Sequence, residues 1–331
     1  MPKFSIIVPV YNRPDEVAEL LQSLEKQTVK NFELIIIEDG SSLPCEDVCK
    51  EYEGKFILKY FFKPNSGRSE TRNYGIERTT GDYFVFFDSD CILPPNYFEC
   101  LEKNLTENYS DCFGGPDAAH ESFSDVQKAI NFAMTSFLTT GGIRGGKNQM
   151  EKFKPRTFNM GFSRAVFEKV GGFKNMFGED IDLSIRITDA GFRTTLYQDV
   201  FVYHKRRVSF KKFFKQVQNF GAGRINLAIL HKNSLKLVHT APAVLLVGFF
   251  IIILLSIFCT PFWLVLPAVY TLLLFADALI KTKKIKTAFL SLWASFIQIT
   301  AYGIGFLKSF FQKIIFRQGL ESEEILKKVY K

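Results

Sequence analysis

The six cysteines of this sequence (Cys45, Cys49, Cys91, Cys100, Cys112, Cys259) form no CxxC pair and have no histidines at zinc spacing. A disulfide framework and a structural zinc site are therefore not indicated, and the thiols read as reduced, small packing groups. No signal peptide stands at the start: "FSIIVPV" is too short for an apolar signal core and breaks at Pro9 into the polar "YNRPDE". The N-terminal region is accordingly expected in the cytoplasm. Acidic residues vanish between 201 and 239, where nine Lys or Arg stand (Lys205, Arg206, Arg207, Lys211, Lys212, Lys215, Arg224, Lys232, Lys236), more than the whole net charge of +8. Charge of either sign then nearly disappears, and from Thr240 to Ile280 only Asp277 remains.

The run "APAVLLVGFFIIILLSIF" within that stretch is long enough to cross a bilayer as a helix. A basic block beside an apolar span follows the positive-inside rule and suits anionic headgroups. A nucleic-acid partner is not expected, because no independent basic fold carries the charge. With 331 residues of which 47% are apolar, the chain can bury a substantial core in the part that precedes this stretch.

That preceding part alternates strand and helix. Residues 4–8 read as a buried strand, and from Pro14 the apolar positions Val17, Leu20, Leu21 and Leu24 follow the helical period, with proline in the first turn. "ELIII" (33–37), "FILKYFF" (56–62) and "YFVFF" (83–87) are further strands, and "SETRNYGIERT" a short helix. Such alternation with nearly continuous apolar strands predicts an α/β fold around a mainly parallel sheet covered on both faces. Later, 124–138 reads as helix, "TTGGIRGGKNQ" (139–149) as a glycine-rich flexible stretch, and "TFNMGF" (157–162) as a short strand. "GEDIDLSIRITDAG" reads as a helix ended by Gly191, with strands in "FRTTLYQ" and "VFVYH". Phe210, Phe213, Phe214 and Val217 form an apolar stripe with Lys211, Lys212 and Lys215 off it, as expected of a helix in the membrane interface or docked on a protein core.

Open parallel sheets bind ligands beyond the carboxyl ends of their strands. Three strands end there in polar groups: Pro9 to Arg13, Glu38 to Ser41, and Asp88-Ser89-Asp90. A DxD pair suits a hard divalent cation shared with phosphate oxygens, although a solvated acidic turn is the alternative. His204, at another strand end, is a candidate ligand or a structural histidine. Glu179 and Asp180 open a helix, where they serve either as caps or as chemistry.

"SIIVPVYNR", "IIIEDGSS", "NSGRSETRNYGI", "TTGDYFVFFDSDC", "NMGFSRAVFEKVGGF" and "GEDIDLSIRITDAGF" occur in the order found in family-two glycosyltransferases of the GT-A fold, and the chain resembles them over residues 3–224. The resemblance implies a Rossmann-type GT-A domain and inverting transfer from a nucleotide sugar. Pro9, Tyr11, Asn12 and Arg13 would line the nucleotide pocket, and Asp39 would meet the base, usually uracil. Asn65, Gly67, Arg72 and Asn73 match the segment that closes over the nucleotide. Asp88 would face the ribose and metal, Asp90 would coordinate Mn²⁺ or Mg²⁺, and His204 would complete its shell. Asp180 matches the general base, with Glu179 as its neighbour.

The stretch "QVQNFGAGR" lacks the tryptophan of the glutamine-arginine-tryptophan signature in processive synthases, which argues against a polymerising enzyme. Arg144 and Lys147 are candidates for holding an anionic acceptor such as a lipid diphosphate, unless they simply belong to a mobile loop.

The expected organisation is a cytoplasmic catalytic domain (1–208), a basic amphipathic interface region (209–238), a membrane region (239–307) and a basic tail (308–331). Segments 240–258 and 262–280 form a hairpin of spans whose basic loop "KTKKIK" returns to the cytoplasm, and 288–307 is a third spanning, re-entrant or interfacial segment. The function expected is addition of a single sugar, from a UDP-sugar, to a lipid-linked glycan at the cell membrane during surface polysaccharide synthesis. A polyprenyl-phosphate sugar synthase and a catalytically silent nucleotide-sugar-binding scaffold are the alternatives.

Overall fold

The computed structural model describes residues 4–141, 153–232 and 234–318. The chain divides into two compact units, one of residues 4–120 and 153–205, the other of 121–141, 206–232 and 234–318.

In the first unit, β1 (Phe4–Val10), α1 (Pro14–Glu25), β2 (Phe32–Asp39), α2 (Glu46–Lys50), β3 (Ile57–Lys63), α3 (Arg68–Ile76) and β4 (Tyr83–Phe86) follow the expected alternation. Pro14 opens α1, Asp15 and Glu16 occupy its first turn, and Val17, Leu20, Leu21 and Leu24 are its buried stripe. After β5 (Cys91–Ile92) come α4 (Tyr97–Glu107), β6 (Cys112–Gly114) and β7 (Asp117–Ala118). α5 (Asp125–Thr135) and α6 (Phe137–Thr140) come next in the chain but pack in the second unit. The first unit then resumes with β8 (Met160–Ser163), α7 (Arg164–Val170), α8 (Glu179–Asp189), β9 (Thr194–Leu196) and β10 (Val202–His204).

A seven-stranded sheet runs β3-β2-β1-β4-β8-β6-β9, and a three-stranded sheet runs β5-β10-β7. The large sheet is mixed: β8 lies antiparallel between β4 and β6, and the other pairings are parallel. Strand order reverses at β1, between β2 and β4, which leaves a crevice beyond their carboxyl ends. Apolar cores cover the two faces. Val8, Leu34, Ile36 and Val85 lie against α1 and α4 residues such as Leu20 and Phe98, and Ile7, Ile35 and Phe84 lie in a core with Ile76, Leu183 and Ile187. This is the α/β fold around a mainly parallel sheet that the strand–helix alternation predicts.

The second unit contains α9 (Phe210–Leu230), α10 (Leu237–Phe258), a 3₁₀ turn at Pro261–Leu264, α11 (Val265–Thr282), α12 (Ile285–Phe310) and a π-turn at Phe311–Ile315. Three stretches are long and apolar enough to cross a membrane: Leu237–Phe258, Pro261–Thr282 and Ile285–Ile315. Over the most apolar 18 residues, only 11% of each of the first two is buried, against 56% of the third. α12 is the hub: Ala294 and Ala301 share a core with Ala129 of α5 and with Phe213 and Val217 of α9. The α9 stripe therefore faces protein, while Lys211, Lys212 and Lys215 are exposed. Asp277, the lone acid of its span, accepts from Ser136 at 2.8 Å and pairs with Lys281 at 2.9 Å. Such bonds, with Asp125 to Lys286 at 3.2 Å, help hold 121–141 in this unit.

Candidate active site

Loops from β1, β2 and β4 meet at the crevice, and each acidic side chain there has found its own partner. Near the end of β1 Pro9 is half-buried; beyond it Tyr11 is exposed and Arg13 pairs with Glu16 at 2.8 Å. Asn12 takes φ +55, a left-handed conformation that asparagine tolerates. Its N–H donates to Ser41 Oγ at 2.7 Å, and its Oδ1 accepts from Leu43 N at 2.9 Å. Ser41 in turn donates to the buried Glu38, which also accepts from Cys45 N at 2.9 Å. The two strand-end loops thus brace each other.

Asp39 accepts from Lys63 and from the backbone N–H groups of Ser66 and Gly67, both at 2.9 Å. Burial pushes its proton affinity up, but Lys63 and the Ser66 N–H outweigh that and hold the carboxyl below its ordinary range. Asn65 Nδ2 donates to Asp39 O at 2.7 Å, and Gly67 enters α3 with φ +89. A Cβ on Gly40 would lie 2.6 Å from Asn65 N, so glycine is required for this approach.

Arg72 is only 2% exposed and bridges two motifs: Nη2 lies 2.8 Å from Asp88 Oδ1, and Nη1 lies 3.0 Å from Glu179 Oε1. Arg68 Nε reaches the same Glu179 oxygen at 2.7 Å. Burial, followed by the Asp180 charge, raises the Glu179 proton affinity against the pull of the two arginines. Asn73 is committed elsewhere, exchanging hydrogen bonds of 2.8 Å with the Phe173 backbone in both directions. Asp180, on the first turn of α8, accepts from Ile181 N at 2.8 Å and has Arg156 Nη1 at 3.9 Å.

The two aspartates of DxD part company. Asp88 turns to Arg72, whereas Asp90 Oδ1 lies 3.1 Å from His204 Nε2. Pairing of β10 with β5 sets His204 opposite Cys91, and ligand atoms of Asp90, Cys91 and His204 lie within 4.8 Å of one another. Burial, followed by the Asp90 charge, raises the proton affinity of Glu16 against the pull of Arg13, Ser89 and Lys205. A carboxylate and an imidazole beside further acid fit a divalent cation, while the buried Cys91 thiol keeps its proton and donates to Phe158 O at 3.4 Å. Among the described residues Asp88 is not in this cluster. Arg144 and Lys147 lie outside the described residues.

Sequence patterns alone did not single out Lys63, Arg68, Cys91, Asp117 or Arg156. Asp117 follows the strand-ending "FGGP" much as Asp39 and Asp88 follow their strands, and that signal would have found it.

The profile of "Glycosyl transferase family 2" matches residues 5–171, and that of "Glycosyl transferase family 21" matches 150–320. Glycosyltransferase AglE of Haloferax volcanii is 26% identical over 266 residues, covering 75% of this chain and 82% of that protein. Glycosyltransferase GlyA of Streptococcus pneumoniae is 36% identical over 110 residues, which are 33% of this chain, and the chain spans 16% of GlyA's length. Among solved structures, mannosyltransferase PcManGT from Pyrobaculum calidifontis, in complex with GDP-Man and Mn²⁺, superposes with a TM-score of 0.60. It is 17% identical, with 94% of this chain and 88% of that chain covered, and the likeness is one of fold.

Proposed function

The chain belongs to glycosyl transferase family 2, and from that premise we propose that it adds a single sugar, with inversion, from a UDP-linked donor to a lipid-linked glycan. The observation that carries this reading is the Arg72 bridge, since one buried guanidinium ties the DxD carboxylate Asp88 to the Glu179-Asp180 pair. The donor side and the base side then share one crevice.

In this reading Pro9, Tyr11, Asn12, Arg13, Asn65, Gly67 and Asn73 border the nucleotide, with Asp39 toward its base and Arg72 and Asp88 toward its phosphate side. Asp90 and His204, with Asp88 in support, would hold Mn²⁺ or Mg²⁺. When bound, the cation draws charge from the diphosphate leaving group. The acceptor oxygen attacks the anomeric carbon, the bond to the diphosphate oxygen breaks with its electron pair, and Asp180 takes the acceptor proton. One displacement inverts the centre. The ordering of domains follows the same proposal: residues 1–208 are catalytic and cytoplasmic, α10 and α11 cross as a hairpin, and Lys281 to Lys286 return to the cytoplasmic face. The exposed lysines of α9 face anionic lipid.

Arg156, 3.9 Å from Asp180, favours a second reading, in which a polyprenyl phosphate is the nucleophile. A phosphate needs no base, and a nearby guanidinium suits its charge.

The test is a screen of nucleotide sugars with Mn²⁺ and membrane lipid extract, scored by release of nucleoside diphosphate. Loss of transfer in Asp180→Asn supports the hydroxyl acceptor, and an active Asp180→Asn with polyprenyl phosphate supports the second reading. Full activity of both Asp90→Ala and Asp180→Asn sinks the first.

A further inference from the structure

Asp117 belongs to none of the motifs that mark this family in the sequence, yet it stands behind the candidate cation site. It is buried at the start of β7, where β7 pairs with β10 so that Asp117 lies opposite Val202, two residues before His204. Its Oδ2 is 3.7 Å from His204 Nδ1, while the other ring nitrogen, Nε2, is 3.1 Å from Asp90 Oδ1. Phe158 stacks on the imidazole at 4.8 Å between centroids and 25° between planes. The ring is therefore approached on two edges and one face.

The strands that carry this geometry are themselves locked. Asn159 Nδ2 donates to Val200 O at 2.7 Å, and Tyr97 OH donates to Asn159 Oδ1 at 2.6 Å. Gly115 approaches Val200 so closely that a Cβ would meet its carbonyl at 1.7 Å. These contacts set the segments leading to Asp117 and to His204 against each other.

An imidazole binds a metal through a nitrogen lone pair, and the proton then sits on the other nitrogen. A carboxylate facing that second nitrogen selects the tautomer and the ring orientation. At 3.7 Å the contact is electrostatic, longer than a hydrogen bond. We propose that Asp117 is a positioning residue: it holds His204 with Nδ1 protonated and Nε2 presented beside Asp90, and so sets the preference of the site for Mn²⁺ over Mg²⁺. The preference arises because imidazole suits transition cations, whereas Mg²⁺ relies on oxygen ligands. This inference rests on the proposed cation site.

The experiment uses the full chain in detergent with UDP or GDP. Free Mn²⁺ is read by electron paramagnetic resonance and Mg²⁺ by competition, for the wild type, Asp117→Asn, His204→Gln and the double variant. Asp117→Asn is expected to weaken Mn²⁺ binding about 10- to 100-fold and Mg²⁺ binding much less. In the His204→Gln background it adds nothing, because it acts through that ring. Imidazole ¹⁵N shifts of the wild type report the Nδ1–H tautomer, a readout that does not depend on the variant folding. Unchanged Mn²⁺ affinity in a folded Asp117→Asn, or an Nε2–H tautomer in the wild type, overturns the inference and leaves the cation site standing. Absence of Mn²⁺ binding by the wild type overturns both.

Discussion

Arg72 holds the Asp88 carboxylate at 2.8 Å from a position only 2% exposed, and its other terminal nitrogen is spent on Glu179 at 3.0 Å. A planar fork can serve two carboxylates at once, and a lysine ammonium on a flexible stem replaces only one of those contacts. Arg72→Ala leaves Glu179 buried with only Arg68 to balance it, so destabilisation of about 3 kcal/mol or more is expected. Arg72→Lys should lose less stability but a comparable share of donor affinity. Thermal unfolding together with nucleotide binding separates the two, and a neutral Arg72→Ala would contradict the bridge.

For the proposed cation site, chelation by EDTA should stop release of nucleoside diphosphate, and added Mn²⁺ should restore it. In Asp90→Ala the restoration fails, with a loss on the order of a hundredfold or greater, since Lewis-acid stabilisation is worth several kcal/mol. Equal rescue of both proteins by Mn²⁺ would remove Asp90 from the site.

At Gly115 a methyl group would sit 1.7 Å from Val200 O and 2.3 Å from Asn159 Nδ2. Backbone must move to admit it, which costs about 1–3 kcal/mol by overpacking. Because the displaced segment leads into β10, Gly115→Ala is expected to lower Mn²⁺ affinity as well as the unfolding temperature. A drop in temperature with unaltered Mn²⁺ affinity would show that the strain does not reach His204.

Glu33 is fully buried in β2 and accepts from Ser5 Oγ at 2.7 Å, Lys59 Nζ at 2.9 Å and Thr80 N at 2.6 Å. Burial raises its proton affinity, but the bonds from Lys59 and Thr80 outweigh it and hold the carboxyl at about 2. A depressed folded value means the stabilisation is complete above the unfolded value of about 4.3 and is lost as pH falls toward 2. Glu33→Gln should flatten the dependence of unfolding temperature on pH between about 5 and 2. A wild-type-like slope in the variant counts against this role.

Gly221 of α9 meets Tyr302 of α12 so closely that a Cβ would lie 2.2 Å from its carbonyl, and a Cβ on Gly305 would lie 2.0 Å from Gln218 O. Small residues let apolar helices approach in this way. Gly221→Leu is expected to separate α9 from α12, seen as faster proteolysis of the C-terminal unit in detergent. Proteolysis at the wild-type rate would indicate that the two helices pack without this contact.

Much of the architecture was legible in the residue order. Nearly continuous apolar runs placed β1 to β4, the helical period placed α1, and uncharged apolar length placed the membrane stretches, because each reports which surfaces are dry. Gly191, φ +86, ended α8 where the pattern stopped. The antiparallel β8 was not legible, since strand direction depends on the path of the intervening chain. The same holds for 121–141, whose helical period marks a helix but not the unit it packs in.

The candidate site divides along the same line. Sequence by itself determined that Asp39, Asp88, Asp90, Glu179 and His204 stand at the ends of strands or the start of a helix, and that a long stretch of the chain suits lipid. Only the tertiary structure decided that Asp88 pairs with Arg72 while Asp90, two residues on, faces His204 and Cys91. It also decided that Asp39 is met by Lys63, and that Asp117 stands behind the imidazole. The physical reason is that a carboxylate's partner is whichever donor sheet order brings within a few ångströms. That distance is set by strands far apart in the chain, and local sequence carries no record of it.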